Sequence, residues 1–173
     1  MKSFKSTAIF ISLIIFAILF VSSGNGTNQN LYGSSAAKVD NDLTIQDMLT
    51  YAIQDEYLAH AEYEAIIAKF GNVKPFTNII KAEETHIKWL EDAFKAYKLP
   101  IPKDDAKKYI KVPETLIKAY EAGVQAEIEN IAMYERFLGT PLIKSNAYSD
   151  LRTLFTNLKN ASQNHLEAFK KQL

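Results

Sequence analysis

The stretch FTNIIKAEETHIKWLEDAFKAY, residues 76–97, decides the fold of this chain. Its apolar residues recur at the three- and four-residue spacing of one helix face, and Glu83 and His86 fall on that face. A glutamate three residues before a histidine projects to the same side of a helix, and such pairs build metal sites inside helical bundles. Burying this carboxylate costs several kcal/mol unless it is paired or binds a metal. The stretch therefore predicts a bundle helix that carries a buried polar site.

The composition restricts the chemistry that such a site can use. Lysine plus arginine and aspartate plus glutamate both number 20, so the net charge is zero and gives no sign of a nucleic-acid partner. The 173 residues contain no cysteine, which excludes thiolate metal sites, disulfides and a lipid-anchored cysteine within them. Carboxylates and imidazoles are the metal ligands that remain.

The N-terminus has the features of an export signal. Lys2 and Lys5 precede an apolar run over residues 8–21, which is too short for a comfortable membrane span. A polar stretch with glycine and serine follows, and cleavage is expected after Ser23 or after Ala37. An uncleaved N-terminal anchor is the alternative interpretation.

These features divide the chain into two parts. We assign residues 1–37 to an export signal with a polar linker, and residues 38–173 to the folded domain. The mature protein is expected to be extracellular or to lie in the cell envelope, without spanning the membrane.

From residue 43 onward the hydrophobic period is helical, and no segment alternates as a strand would. Glycine and proline divide this part of the chain into separate helices. Four helices, A to D, are predicted over residues 43–70, residues 75–99, residues 113–139 and the segment that follows Ser145 and Asn146.

The lengths of the connections restrict the topology. Helices A and B are joined by about four residues, and helices C and D by a short link, so each pair is an antiparallel hairpin. The B–C connection, residues 98–112, could reach ~50 Å when extended, which exceeds the ~35 Å of a 23-residue helix. It can cross the whole bundle and leave B and C parallel. The predicted fold is all-α, with two antiparallel hairpins joined by one long crossover.

Helices A and C carry the same pattern, a glutamate followed by a tyrosine seven positions later. The two side chains of such a pair lie on one helix face, two turns apart. Each of these helices precedes a helix with an inward-facing histidine, so both hairpins are expected to bring polar side chains to a similar depth. The repeated residues are Glu56 with Tyr63, Glu127 with Tyr134, and the histidines His86 and His165.

The core-facing stripes of the four helices therefore share a set of polar side chains. Three carboxylates in a dry bundle repel one another, and divalent cations would remove that cost. Oxygen and nitrogen ligands without sulfur suit iron, manganese or zinc, and tyrosines can hydrogen-bond the ligating carboxylates. The predicted ligands are Glu56, Glu83, His86, Glu127 and His165, with Tyr63 and Tyr134 around them.

A structural interpretation stays open for each of these residues. In a shifted helix register the glutamates face solvent, and each histidine is then a neutral core imidazole bonded to the backbone or to a nearby polar side chain. The tyrosines are then ordinary core residues. His60, one turn after Glu56, lies at the edge of the stripe and is expected in solvent.

With these motifs the chain resembles the ferritin-like di-iron carboxylate proteins, which include ferritins and rubrerythrins. The resemblance covers residues 43–173, and the run SQNHLEAF at residues 162–169 is similar to a small, mostly prokaryotic branch of unknown function. It implies a ferritin-like four-helix bundle with two iron ions, or manganese or zinc instead. Glu56 and Glu127 would be terminal or bridging ligands, Glu83 would bridge the metals, and each histidine would bind one of them.

The chain departs from the family pattern on helix D. The pattern has a second Glu-x-x-His unit there, whereas this chain has Ser162 three residues before His165. Asn130, one turn after Glu127, is expected to act as a weak ligand or as a hydrogen-bond partner. The resemblance therefore implies a site with three glutamates instead of four.

The resemblance also implies redox chemistry, namely oxidation of ferrous iron by oxygen or peroxide, or removal of peroxide. Any reductive cycle needs an external electron donor, since a rubredoxin-like module requires cysteines. Two alternatives remain: a non-catalytic metal-binding bundle in the envelope that holds one metal, and a purely structural bundle whose polar core fixes the helix pairing. The formation of a homodimer is a further open alternative.

Overall fold

The computed structural model describes residues 31–173, and this part of the chain is all-helical, as predicted. Four long helices, α2, α3, α4 and α6, correspond to the predicted helices A to D. The helices are α1 Ser34–Val39, α2 Ile45–Phe70, α3 Phe76–Ala96, α4 Leu116–Gly139, α5 Pro141–Lys144 and α6 Ser149–Lys170, with 3-10 turns at Ala106–Lys108 and Asn146–Tyr148.

Two of the long helices start at a threonine cap, slightly later than predicted. The Thr44 hydroxyl accepts a hydrogen bond from the Asp47 N–H (3.2 Å), and the Asp47 carboxylate accepts one from the Thr44 N–H (3.0 Å). The Thr115 hydroxyl accepts a hydrogen bond from the Lys118 N–H (3.2 Å) in the same way. A capping residue stands just outside its helix, so α2 begins at residue 45 and not 43, and α4 at residue 116 and not 113.

The interior of the bundle has two apolar clusters with a polar layer between them. Each long helix contributes apolar side chains to both clusters and polar side chains to the layer. The first apolar cluster includes Leu49, Ile53, Leu90, Phe94, Phe137, Phe155 and Leu158, and the second includes Ile66, Phe76, Ile79, Ala119 and Phe169.

The order in which each helix meets the clusters gives its direction. Both α3 and α4 start in the second cluster and end in the first, whereas α2 and α6 run the opposite way. The helices α3 and α4 are therefore parallel, which confirms that the connection between them crosses the bundle. Tyr109 in this connection stacks on Tyr32, with ring centroids 4.4 Å apart, so the crossover packs against the segment that precedes α1.

Residues 32–37 belong to the folded part of the chain, which corrects the expected boundary at residue 38. Tyr32 and Ala37 are buried, with 6% and 1% of their surface exposed. Arg136 of α4 donates a hydrogen bond to the Ala37 carbonyl and thereby fixes the last turn of α1. The sequence here looks like a linker because it is polar, but the bundle satisfies its backbone groups.

The predicted export signal lies almost wholly outside the described residues. Its apolar run at residues 8–21 and a cleavage after Ser23 therefore stay predictions. A cleavage after Ala37 would cut α1, which packs against both α2 and α4. Within residues 31–173, no helix has the length and apolar content that crossing a bilayer requires.

Candidate metal centre

Five side chains from the four long helices meet between the two apolar clusters. All five are buried, with 2% to 9% of their surface exposed. They form two groups of three, and the ligand atoms within each group lie within 4.8 Å of one another. The first group is Glu56, Glu83 and His86, and the second is Glu83, Glu127 and His165. The structure therefore brings together all five side chains that the sequence nominates as ligands.

Glu83 stands between the two histidines and belongs to both groups. Its Oε2 lies 2.8 Å from His86 Nδ1, and its Oε1 lies 3.2 Å from His165 Nδ1. The two imidazole rings are nearly parallel, with centroids 5.8 Å apart. One carboxylate thus offers a separate oxygen to each half of the layer.

Glu56 and Glu127, the outer carboxylates on either side of Glu83, each complete one of the two groups. Glu56 Oε2 lies 3.1 Å from His86 Nδ1, and Glu127 Oε1 lies 3.4 Å from His165 Nδ1. Both histidines direct Nδ1 at carboxylates, so the alternative of neutral core imidazoles bonded to the backbone does not describe them. The burial of the glutamates likewise excludes the solvent-facing register.

Each tyrosine of the repeated pattern holds the glutamate of the other hairpin. Tyr63 OH on α2 donates to Glu127 Oε1 on α4 (3.1 Å), and Tyr134 OH on α4 donates to Glu56 Oε1 on α2 (2.7 Å). Burial is the main reason why the pKa of both tyrosines lies well above its usual value, so both hydroxyls stay protonated as donors. The tyrosines therefore orient the outer carboxylates, as expected for hydrogen-bond partners of a metal site.

A series of hydrogen bonds lies beside the polar layer and includes a residue that the sequence analysis missed. Ser162 Oγ donates to Asn130 Oδ1 (3.1 Å), and Asn130 Nδ2 donates to Asp55 Oδ2 (2.8 Å). Asp55 Oδ1 in turn accepts a hydrogen bond from the Ser34 N–H (2.7 Å). Asn130 is thus a hydrogen-bond partner, one of its two expected roles.

A sequence signal for Asp55 did exist. The residue lies seven positions after Met48 and three after Ala52, and both of these are buried on α2. A carboxylate on that spacing faces the interior. The sequence placed His60 in solvent at the edge of the stripe. Its ring is half-buried and lies near the exposed Glu84 (Nε2 to Oε1, 3.7 Å).

The histidines are strong bases in this environment. Burial acts to lower their pKa, but hydrogen bonds and charge interactions with the adjacent carboxylates outweigh it. The pKa of His86 rises to about 10 through Glu56 and Glu83, and that of His165 to about 9 through Glu127 and Glu83. Protons therefore occupy both Nδ1 atoms at neutral pH when no metal competes for them.

The carboxylates divide into two kinds. Burial would raise the pKa of Glu83, but hydrogen bonds with His165 and His86 outweigh it and lower the pKa to about 2. Burial, with repulsion from Glu83, raises the pKa of Glu56 to about 7, and burial raises the pKa of Asp55 to about 7 and that of Glu127 as well. The central carboxylate is thus firmly ionised, while the outer ones lack enough positive charge around them.

This donor set fits divalent transition metals. Three carboxylates and two imidazoles without sulfur suit iron, manganese or zinc. A cation at either histidine would replace the Nδ1 proton and supply the positive charge that the outer carboxylates lack. The polar layer is therefore a candidate site for two metal ions that share Glu83.

Comparison with known proteins agrees with this geometry. A family model described as Rubrerythrin matches residues 47–173. The chain belongs to the rubrerythrin family. This membership places it in the ferritin-like di-iron superfamily and confirms both the resemblance and the fold class inferred from the sequence. For this rubrerythrin-family chain, the buried glutamate and histidine groups fit the carboxylate type of metal binding.

A solved structure supports the fold of this rubrerythrin-family chain. It is the crystal structure of a hypothetical protein from Methanococcus jannaschii DSM 2661, with 23% sequence identity and a TM-score of 0.65. The match covers 78% of this chain and 83% of the archaeal one. No curated protein matches the chain. The archaeal structure thus extends the fold assignment without adding a function.

Proposed function

We propose that this chain is an exported protein whose polar layer binds two metal ions, most favourably iron, and reacts with oxygen or peroxide. The observation that carries the proposal is the position of Glu83, whose two oxygens face the two histidines separately. A purely structural ion pair would need only one of the histidines. Family membership supports iron as the metal.

The chain's own residues would hold the metals and control their surroundings. Glu56 with His86, and Glu127 with His165, would each hold one ion, and Glu83 would contact both. The pair of metals, when bound, would supply the electrons or the oxidising power of the reaction. The tyrosine hydroxyls would keep the outer carboxylates oriented, and the apolar clusters on both sides would exclude bulk water.

The protein would also need reaction partners and a compartment in which to meet them. A small oxidant and an external electron donor are the expected partners, because the chain contains no cysteine for an iron–sulfur or rubredoxin-like centre of its own. Export follows from the basic and apolar N-terminus and would place the reaction outside the cytoplasm. Homodimer formation stays a prediction that analytical ultracentrifugation would check.

The direct test is an anaerobic titration of the purified chain with ferrous iron. The single tryptophan, Trp89, lies with its ring 5.5 Å from that of His86, so its fluorescence should be quenched as the metal binds. We expect two equivalents to bind, and oxidation to follow when peroxide or oxygen is added. Absence of any bound metal at saturating iron would overturn the proposal.

A second function, metal binding without turnover, is favoured by one specific observation. Where the family pattern has a fourth carboxylate, Ser162 is hydrogen-bonded to Asn130 and contributes no charge. Such a site would hold one metal, such as zinc or manganese, and would serve as a buffer in the cell envelope. One tightly bound equivalent, with no consumption of peroxide or oxygen, would identify this function.

A further inference from the structure

A small acidic cavity adjoins the polar layer on the side of Ser162. Its volume is about 70 Å³. That is room for an ion with a few water molecules, since one water needs roughly 10–15 Å³ for its centre. Within the described part of the chain, no lysine, arginine or histidine lines it. The carboxylates that line it are Asp55, Glu62, Glu83, Glu127 and Glu129.

These carboxylates form a series from solvent to the interior. Glu129 is exposed, Glu62 is half-buried, and Glu83 and Glu127 are buried members of the second metal group. The small side chain of Ser162 contributes to this opening, because a glutamate at that position would occupy space beside the layer. The cavity therefore connects the protein surface to the candidate metal centre, and carboxylates line it over this distance.

The buried Glu127 also has one carboxylate oxygen without a hydrogen-bond donor in residues 31–173. Contacts from Tyr63 and His165 both fall on Glu127 Oε1, which leaves Oε2 without a hydrogen-bond donor among the described residues. Glu127 is 4% exposed, and it lines the cavity. Oε2 is not fully buried, and is therefore open to a water molecule or a cation in the cavity.

We propose that this cavity, between the exposed Glu129 and the buried Glu127, is the route by which divalent cations reach the metal centre. The inference rests on the proposed function, since it requires that the layer binds metal. Negative charge along a narrow cleft raises the local concentration of cations and speeds their association.

The test compares rates of metal association in stopped-flow experiments, with cobalt(II) as the probe and Trp89 fluorescence as the signal. The variant Glu62→Gln/Glu129→Gln removes two charges from the route and leaves the five proposed ligands intact. The matched control, Glu114→Gln/Glu135→Gln, removes two exposed charges elsewhere on the surface. Both variants have the same net charge, so they separate local steering from the effect of total charge.

We expect the route variant to bind cobalt(II) at least about threefold more slowly at low salt, with the difference shrinking at high salt. Its dissociation should slow similarly, so the Kd should stay within about twofold of the wild type. The control should keep the wild-type rate. Equal slowing in both double variants, or none in the route variant, would overturn the proposal. If the wild type binds no metal, the proposed function fails instead.

A steric variant provides an independent readout. Ala126 lines the cavity, and Ala126→Leu would fill part of it without changing charge. Association and dissociation of cobalt(II) should both slow at every salt concentration, with circular dichroism and melting temperature used to confirm the fold. Wild-type rates in a folded Ala126→Leu protein would show that cations take another path.

Discussion

At the scale of single residues, Glu83 has the greatest influence on the candidate centre. It alone belongs to both groups of ligands, and two imidazoles keep it ionised by lowering its pKa to about 2. Its neighbour Glu84 is exposed on the same helix. This adjacent pair offers a test in which only the direction of the side chain differs.

Glu83→Gln should abolish most of the stabilisation that metal gives. A ligand that binds only the folded state at a hundredfold excess over its Kd stabilises by about 2.7 kcal/mol. We expect iron(II) or manganese(II) to raise the melting temperature of the wild type and of Glu84→Gln, but to leave Glu83→Gln almost unchanged. An equal metal-dependent rise in both variants, measured by differential scanning fluorimetry, would contradict the role of Glu83.

Ser162→Glu should have opposite effects with and without metal. The new carboxylate would restore the family's Glu-x-x-His unit with His165 and should tighten binding of the second metal. Without metal it would displace the hydrogen bond to Asn130 and lie near the buried Asp55, so the melting temperature should fall below that of the wild type.

Anaerobic titration with ferrous iron checks the first effect, and thermal melts with chelator check the second. Ser162→Ala serves as the control, since it removes the same hydrogen bond without adding charge. Equal second-site affinity in the wild type and in Ser162→Glu would mean that residue 162 does not reach the metals.

At the scale of elements, α1 depends on a glycine. Gly33 has a φ of +59°, in the left-handed region, and a Cβ added there would lie 2.4 Å from Asp55 Oδ1. That close approach lets Asp55 accept the hydrogen bond from the Ser34 N–H at the start of α1. The N-terminal helix and the series of hydrogen bonds beside the metal centre are therefore joined through one carboxylate.

Gly33→Ala should loosen α1 and destabilise the protein by roughly 1–3 kcal/mol. Gly139→Ala is a good control. Gly139 is the last residue of α4, its φ is not positive, and a Cβ added there would have no atom within 4 Å. Chemical denaturation would measure both variants, and hydrogen exchange at residues 34–39 would localise the effect. Equal stability of the two variants would show that α1 contributes little to the fold.

The sequence predicted the helices and the convergence of the five candidate ligands better than it predicted the surroundings of these residues. Glu83 and His86 could be found because a 3.6-residue period places both on one face with apolar neighbours. The hydrogen bonds that link Ser162, Asn130 and Asp55 could not be predicted in the same way, because they join three helices and depend on the directions of the side chains. The docking of α1 was missed for a similar reason, because its partners Asp55 and Arg136 are distant in sequence.

At the scale of the whole molecule, protonation and metal binding compete. Raised pKa values of His86 and His165 mean that the folded state, without metal, binds more protons than the unfolded state above pH 6.5. The stabilisation from these protons is complete below pH 6.5 and is lost as the pH rises through about 9 and 10. Glu56, whose pKa is raised from 4.5 to about 7, adds a loss between those two pH values, before most of the loss from the histidines.

The melting temperature of the chelator-treated protein should therefore fall from pH 6.5 to about pH 8. The rise that manganese(II) adds should become larger over the same interval, since the metal needs the unprotonated Nδ1 atoms. Melts with and without metal at each pH would measure both trends. A metal-dependent rise that shrinks with increasing pH would exclude the histidines as ligands.

The crossed tyrosines have a consequence for how the protein acquires its metal. Each hairpin's glutamate is oriented by the other hairpin's hydroxyl, and the second group of ligands takes Glu83 from the first hairpin, so the complete centre forms only when both hairpins have docked. A chain whose two hairpins have not yet docked would thus lack the full two-metal centre, and complete loading would wait for that step. Affinity for such ligands follows a fixed order among divalent metals, so the metal that binds in a cell depends strongly on which metals are available. The compartment in which the chain folds, more than the intrinsic affinity of its five ligands, would then decide which metal it holds.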